Sequence, residues 1–294
     1  MQPTVKEFVQ KIRKELSDVY SPHEAFQLAW LIFEHLFGWS KTEMMLNDHT
    51  KLNDSEHLFV QKALERLKNH EPIQYILGET EFFGLPIKVN SSVLVPRPET
   101  EELVEWIIQS VPPGKPVDVL DIGTGSGCIA IALAKMLPTA GVRAWDISQE
   151  ALNTAAENAH INEVDICFEQ KDVLNLSSSD VKPFDVIVSN PPYVREAEKE
   201  LMPSNVLNYE PHVALFVSDS DPLLFFRAIA EYAEAALKEN GKLFFEINRD
   251  FGEPVKKLLA GYGFKSIELR EDLSGNCRMV KADKPVRGNH EGSD

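Results

Sequence analysis

From Val117 onward the chain alternates short apolar runs with segments of helical periodicity, and that alternation restricts it to a narrow set of folds. The runs lie near 117–121, 142–146, 166–169, 184–189 and 242–247. Each is short, mostly apolar and bounded by turn residues, so each reads as a buried strand. Strands joined through helices lie parallel, which predicts a doubly wound α/β sheet. The end of the chain departs from this pattern. Phe264 to Arg270 and Asn276 to Ala282 are joined by a short turn containing Ser274-Gly275, so these two strands should form an antiparallel pair.

The first 75 residues carry a different period. Phe8, Ile12, Leu16 and Tyr20 recur at four-residue spacing on one helix face. Ser21, Pro22 and Glu24 form a capping-box start for a second helix that is apolar on nearly every side and ends at Gly38. Ser40 and Ser55 are expected to cap a short helix through Met45 and a longer one through Leu67. The aromatics here read as bundle core. Glu81-Phe82-Phe83, Gly84-Leu85-Pro86 and Ile87-Lys88-Val89 predict a small β-hairpin, after which Pro96-Arg97-Pro98-Glu99-Thr100 starts a helix through Ile108. The expected organisation is a helical bundle over 1–75, a hairpin linker over 76–95, an α/β domain over 96–282 and a polar, disordered tail over 283–294. At 294 residues and 43% hydrophobic, the chain has length for about two domains.

A mostly parallel sheet whose last strand is antiparallel resembles the S-adenosylmethionine-dependent methyltransferase fold more than the dinucleotide-binding fold. The loop after the first strand of the alternating region favours the same choice. Val117 to Asp121 runs into Ile122-Gly123-Thr124-Gly125-Ser126-Gly127 and then into an Ala-rich helix. Glycines at alternate positions allow a sharp turn and close approach of a ligand to the backbone. Free N–H groups at the following helix start favour an anionic group such as a carboxylate. Asp146, ending the next strand, can accept hydrogen bonds from both hydroxyls of a ribose, in nicotinamide and S-adenosyl cofactors alike. The dinucleotide fingerprint is G-x-G-x-x-G, and here Cys128 stands where its third glycine would be. At the end of the following strand, Asp172 is either an acceptor for an adenine amino group or a turn cap, and Val173 would cover the ring.

Asn190-Pro191-Pro192-Tyr193 closes the run Phe184 to Ser189. Two prolines forbid the strand from continuing and supply no N–H to satisfy the turn's carbonyls. An Asn oxygen and a backbone carbonyl are left facing the space above the sheet, with the Tyr193 ring beside them. Acceptors and a flat surface together suit a planar group that bears an NH2.

Lys and Arg total 30 against 46 Asp and Glu, a formal charge of -16, which argues against free nucleic acid as partner. Cys128, Cys167 and Cys277 are far apart and read as small buried hydrophobes, with neither a disulfide framework nor a zinc site. The histidines lack metal-ligand spacing. No signal core and no membrane-length apolar stretch is visible, so the expectation is a soluble cytoplasmic protein. Without an exposed apolar seam, a monomer is expected.

With the glycine loop and the Asn-Pro-Pro-Tyr turn both in place, the sequence resembles the HemK-type family of release factor glutamine methyltransferases. The resemblance extends over Glu71 to Gly78, Phe82-Phe83-Gly84-Leu85, Val95-Pro96-Arg97-Pro98-Glu99-Thr100-Glu101, Tyr209-Glu210-Pro211 and Arg270 to Gly275. It implies methylation, from S-adenosylmethionine, of the glutamine in the Gly-Gly-Gln loop of peptide chain release factors, with the N-terminal bundle engaging the release factor. By position, Gly123, Thr124, Gly125, Ser126, Gly127 and Asp146 become cofactor contacts, and Asn190, Pro191, Pro192 and Tyr193 the substrate-amide clamp, with Asn190 expected to touch the cofactor as well. The family's Gly-Gly-x-Asp-Gly-Leu stretch is replaced here by Phe216 to Leu223, so that loop's part in a substrate channel is open. Three rivals stand beside this reading. An adenine N6 methyltransferase would use the same turn but needs a basic groove or a target-recognition domain. A nicotinamide oxidoreductase leaves Asn190 to Tyr193 without a task. A non-catalytic cofactor-binding protein is the third.

Overall fold

Four helices of the N-terminal region begin on one chemical device. In the computed structural model, which describes residues 2–177 and 181–286, the side chains of Thr4, Ser21, Ser40 and Asn53 each accept from the N–H three residues on. The glutamate at that third position accepts in return from the cap's own N–H. These capping boxes open α1 (Val5–Glu15), α2 (Pro22–Phe37), α3 (Lys41–Leu46) and α4 (Asp54–Lys68), and α5 (Ile73–Leu77) follows. The expected cap at Ser55 is corrected to Asn53. Glu56 completes a box with Asn53, whereas Leu58 stands three residues after Ser55, which instead donates to Asn53 Oδ1 at 2.6 Å. α2 touches α1, α3, α4 and α5, and buries Ala25, Ala29, Ile32 and Phe33 completely. The compact unit built on these helices is Met1–Glu79 together with Met202–Tyr209, whose Tyr209 hydroxyl donates to the Asn69 carbonyl at 2.8 Å.

The second unit comprises Thr80–Leu201 and Glu210–Asp294. Its elements in chain order begin with β1 (Glu79–Phe82), β2 (Leu85–Lys88), α6 (Pro98–Ser110), β3 (Val117–Ile122), α7 (Cys128–Met136), β4 (Ala140–Asp146), α8 (Gln149–Ile161), β5 (Ile166–Gln170) and β6 (Phe184–Ser189). The short β7 (Val194–Arg195), α9 (Ser204–Tyr209, in the first unit), α10 (His212–Leu215) and β8 (Phe216–Val217) come next, then α11 (Leu224–Ala236), β9 (Leu237–Glu246), α12 (Gly252–Gly261), β10 (Lys265–Glu271) and β11 (Cys277–Asp283). The main sheet has seven strands in the order β10-β11-β9-β6-β3-β4-β5. β9, β6, β3, β4 and β5 pair in parallel, and β11 runs antiparallel to both of its neighbours. Successive residues of β9 show why its run reads as continuously apolar. Phe244 meets Trp106 of α6 edge-on at 5.7 Å, and Phe245 meets Phe226 of α11 at 5.2 Å, so both faces are covered.

Three expectations change. The hairpin expected as a linker is fastened to α8. Asn158, completely buried, accepts from the Lys88 N–H at 2.7 Å and donates to the Lys88 carbonyl at 2.9 Å, while Asn162 donates to the Pro86 carbonyl. The hairpin turn places Phe83 and Gly84 at φ 54° and 73°, the paired left-handed geometry of a two-residue connection. The polar tail does not start at Asp283. That residue ends β11, and Lys284 is buried with its N–H donating to the Gly241 carbonyl; residues 287–294 lie outside the described residues. Cys167 is exposed, since β5 is an edge strand, and its Sγ lies 3.3 Å from Arg143 Nη1. All three cysteines are free thiols, and of them only Cys128 is buried.

Candidate active site

The strand order reverses between β3 and β6: β4 and β5 lie on one side of this pair, β9 on the other. In doubly wound sheets such a reversal opens a crevice at the strands' carboxyl ends. Ile122 pairs with Ser189 in the β3–β6 ladder, and the Ser189 hydroxyl donates to the Ile122 carbonyl at 2.7 Å. The chain leaves these two residues into Gly123 and Asn190. Two motifs far apart in sequence therefore emerge side by side. On the flanks, Ile122 pairs with Trp145 and Ser189 with Phe245, which places Asp146 and Glu246 at the ends of β4 and β9 in the same row.

The crevice is a cavity of about 350 Å³. One wall is the glycine loop. Gly123, Gly125 and Gly127 take φ of 73°, 56° and 82°, values that favour glycine. A Cβ at Gly123 or Gly125 would meet nothing within 4 Å, so their backbones stand open to the cavity. Gly127 is different. It lies outside the lining, where a Cβ would come within 3.0 Å of Ala155 Cβ and 3.1 Å of Ile131 Cδ1, so this glycine lets α7 and α8 close together. Thr124 and Ser126 are buried in the wall. The Asn158 side chain that holds the hairpin also donates to the Ser126 carbonyl at 2.9 Å, tying loop, helix and hairpin at one point.

Asp146 fastens the loop from the side. Its Oδ2 accepts from the Gly125 N–H at 2.8 Å and its Oδ1 from the Ser148 N–H at 2.9 Å. Burial pushes its carboxyl above the ordinary range, against the pull of those N–H groups. Behind the loop, outside the lining, Asp121 is completely buried. Thr124 Oγ1 donates to its Oδ2 at 2.6 Å, but Oδ1 makes no hydrogen bond. Burial, reinforced by the neighbouring Asp146 charge, pushes this carboxyl up to about 7. Asp172 caps a turn of 3-10 helix over Val173–Asn175. Its Oδ1 accepts from the Leu174 N–H at 2.9 Å and its Oδ2 from Asn175 Nδ2 at 2.6 Å, and both Asp172 and Val173 line the cavity.

Asn190, Pro191 and Pro192 line the same cavity. Asn190 Nδ2 lies 3.5 Å from Thr100 Oγ1, in the first turn of α6. Tyr193 is half-buried and outside the lining, its hydroxyl donating to Glu246 Oε1 at 3.0 Å. Burial and the Glu246 charge hold that phenol well above the usual tyrosine range. Glu246 is itself buried, and burial raises its carboxyl although Thr100 and Tyr193 both donate to it. The segment after Tyr193 is braced by the divergent loop: β7 pairs with β8, and the Ala197 N–H donates to Asp219 Oδ1 at 3.1 Å. Arg97, on the rim, is ion-paired to the buried Glu210, whose Oε2 also accepts from the Val95 N–H at 3.3 Å. Two of the motifs singled out in the sequence thus meet in one contact.

The sequence reading missed Asp121, Asn158 and Glu246, and named Thr100 only as part of a motif. For two of them a signal was present. Asp121 and Glu246 are carboxylates inside apolar runs, Val119-Leu120-Asp121-Ile122 and Phe244-Phe245-Glu246-Ile247, and a charge in a doubly covered strand needs a reason. Among the described residues no cluster of His, Cys, Asp and Glu is gathered to hold a metal ion, and no helix is long and apolar enough to cross a membrane.

Residues 7–78 match the PrmC N-terminal domain family, and residues 101–207 match the methyltransferase small domain. The release factor glutamine methyltransferase of Flavobacterium psychrophilum is 48% identical over 280 residues, covering 94% of this chain and 98% of that one. That of Bacteroides thetaiotaomicron is 41% identical over 273 residues, covering 93% and 98%. Among solved structures, a methyltransferase from Pyrococcus furiosus shares the fold, with a TM-score of 0.51 at 18% identity over 80% of this chain and 100% of the other. Through relatives that match it over nearly its whole length, the chain belongs to the release factor glutamine methyltransferase family.

Proposed function

We propose that this enzyme transfers a methyl group from S-adenosylmethionine to the side-chain amide nitrogen of the glutamine in the Gly-Gly-Gln loop of peptide chain release factors. The observation that carries the reading is one cavity lined by both the glycine loop and the Asn190-Pro191-Pro192 turn. The names of the similar proteins support the substrate.

The cavity's residues fit the cofactor. Its volume, about 350 Å³, falls in the range of small-molecule sites, and the open backbones of Gly123 and Gly125 leave room for close approach. Bound there, S-adenosylmethionine supplies an electrophilic methyl on a sulfonium. The loop from Gly123 to Ser126 would receive the carboxylate of its methionyl part, and the start of α7 favours that charge. Asp146 has lone pairs left for ribose hydroxyls after its two backbone bonds. Asp172 and Val173 are assigned to the adenine, Asp172 through lone pairs that its capping bonds leave free.

An amide nitrogen is a poor nucleophile because its lone pair is delocalised into the carbonyl. Asn190 Oδ1 and the Pro191 carbonyl are assigned to accept the two amide protons. Those bonds favour a nitrogen whose lone pair is freed toward the methyl. Once the C–N bond has formed at the expense of the S–CH3 bond, the methylated amide is cationic and strongly acidic and would release one N–H proton to water. Tyr193, its phenol anchored on Glu246, is assigned to stack on the amide plane. The catalytic contribution is positioning and fixed dipoles. The helical unit is assigned to engage the body of the release factor, with the enzyme acting as a cytoplasmic monomer.

The test is incubation with labelled S-adenosylmethionine and a purified release factor, then with the same factor carrying Gln→Ala in its Gly-Gly-Gln loop. Label is expected in the first and absent from the second. Equal label in both would overturn the assignment.

A further inference from the structure

We propose that Thr100 and Glu246 are positioning residues that fix which end of the Asn190 side-chain amide faces the cavity. The inference rests on the reading of Asn190 as an acceptor for the substrate amide.

Glu246 is 1% exposed, and both of its oxygens receive a proton from a neighbour: Oε1 from the Tyr193 hydroxyl at 3.0 Å, Oε2 from Thr100 Oγ1 at 2.6 Å. A threonine hydroxyl has one proton to give. With that proton committed to the carboxylate, Thr100 Oγ1 presents only lone pairs to its remaining neighbour. That neighbour is the Asn190 amide, whose Nδ2 stands 3.5 Å away. An Asn amide donates at one end and accepts at the other. Held by its NH2 end against Thr100, it leaves Oδ1 as the end for the cavity that Asn190 lines. Were the Thr100 proton turned toward Asn190, the amide would flip and offer two N–H donors to a substrate group that also donates. The acceptor at Glu246 Oε2 is transmitted, through one hydroxyl, as the polarity of the clamp. A buried carboxylate is costly to keep, and neutral groups can brace a turn as well. Only an acceptor at both oxygens fixes the direction of the Thr100 and Tyr193 protons together. The same contacts account for Thr100 within the Pro98-Glu99-Thr100 motif: it starts α6 and reaches across to the end of β9.

The experiment compares the full-length enzyme with T100V, T100S, N190A and the T100V/N190A double variant. Single-turnover methylation of a purified release factor is read beside S-adenosylhomocysteine affinity. The Asn190 side-chain NH2 signals, identified by their loss in N190A, are followed by 15N NMR. T100V is expected to slow methyl transfer on the order of 10²-fold, as misplacement of a reacting group does, with S-adenosylhomocysteine affinity unchanged within about twofold. T100S should recover most of the rate. Adding T100V to N190A should cost nothing further, because Thr100 acts only through Asn190. A comparable loss in the N190A background, or failure of serine to restore the rate, would assign Thr100 a merely structural part and overturn the proposal. Should T100V fail to fold, the wild-type signals decide: one protected Asn190 amide proton supports the contact, and two freely exchanging protons overturn it. The function and the inference can fail separately. Absence of methylation by the wild-type enzyme refutes the substrate, whereas Asn190 signals that T100V leaves unmoved refute the positioning.

Discussion

Asn190 and Asp121 show how differently two polar side chains can serve one cavity. Asn190 lines it, and its removal should strike the chemical step. Asn190→Ala is expected to lower kcat about 10²–10³-fold, the usual cost of deleting a fixed hydrogen-bonding group that acts on the transition state. S-adenosylhomocysteine affinity, read by calorimetric titration, should change only a few-fold. A kcat near the wild-type value would remove Asn190 from the clamp. Asp121 lies behind the loop, and its effect is on stability. Its carboxyl is held up to about 7 by burial, whereas in the unfolded chain it ionises near 4. Between those values the folded state binds the extra proton, so this group's contribution to stability falls as pH rises, by up to roughly 1.4 kcal/mol per pH unit. Asp121→Asn keeps an acceptor for Thr124 and removes the titration. The variant's Tm relative to wild type should therefore rise from pH 5 to pH 8; a pH-independent difference would contradict the assignment. At this scale the sequence was readable where backbone chemistry dictates the residue, as at Gly123, Gly125 and the Pro191-Pro192 turn. It was silent on Asn158 and on the partner of Thr100, because both depend on contacts from distant parts of the chain.

Elements were the most legible level. Period, caps and turn residues are local properties, and the strands expected at 117–121, 166–169 and 184–189 coincide with β3, β5 and β6 to within a residue. β9 begins five residues before the expected 242, where Leu237 pairs with Phe184 ahead of an irregular register, and no local period marks such a start. Ser55 has a capping residue type, but the glutamate that completes the box, Glu56, stands three residues after Asn53. The hairpin was legible from Phe83-Gly84, but its attachment was not, since the buried Asn158 that holds it belongs to a helix some seventy positions away. This attachment gives a prediction for the element. Asn158→Ala leaves the Lys88 N–H and carbonyl and the Ser126 carbonyl without partners, at about 1–3 kcal/mol for each group that water cannot reach. The variant should be less stable by about 2–4 kcal/mol, and hydrogen exchange at the Lys88 amide should accelerate. The near-isosteric Asn158→Asp should be at least as damaging, because a carboxylate cannot donate to either carbonyl and would be buried charged. Unchanged exchange at Lys88 in both would show that the hairpin is held by other contacts.

For the whole molecule, charge separates two substrates that the clamp alone treats alike. Adenine N6 and a glutamine amide are both planar NH2 groups attached to an electron-withdrawing carbon, and Asn190 with the Pro191 carbonyl could accept from either. The chain carries 30 basic against 46 acidic residues, a formal charge of -16. A nucleic-acid methylase draws its affinity largely from lysines and arginines that displace counterions from phosphates, so its binding weakens steeply with salt. The field of this chain has the opposite sign and repels a polyanion at a distance. Any residual contact with DNA or RNA should therefore strengthen as salt screens the repulsion, or be too weak to detect at every salt concentration. Single-stranded and duplex oligonucleotides rich in adenine, offered with labelled S-adenosylmethionine from 20 to 300 mM salt, should take up no label above background. The release factor under the same conditions should be methylated. Label in the oligonucleotide that is greatest at the lowest salt would mean that a local basic surface overrides the net charge, and the substrate would have to be reassigned to a base.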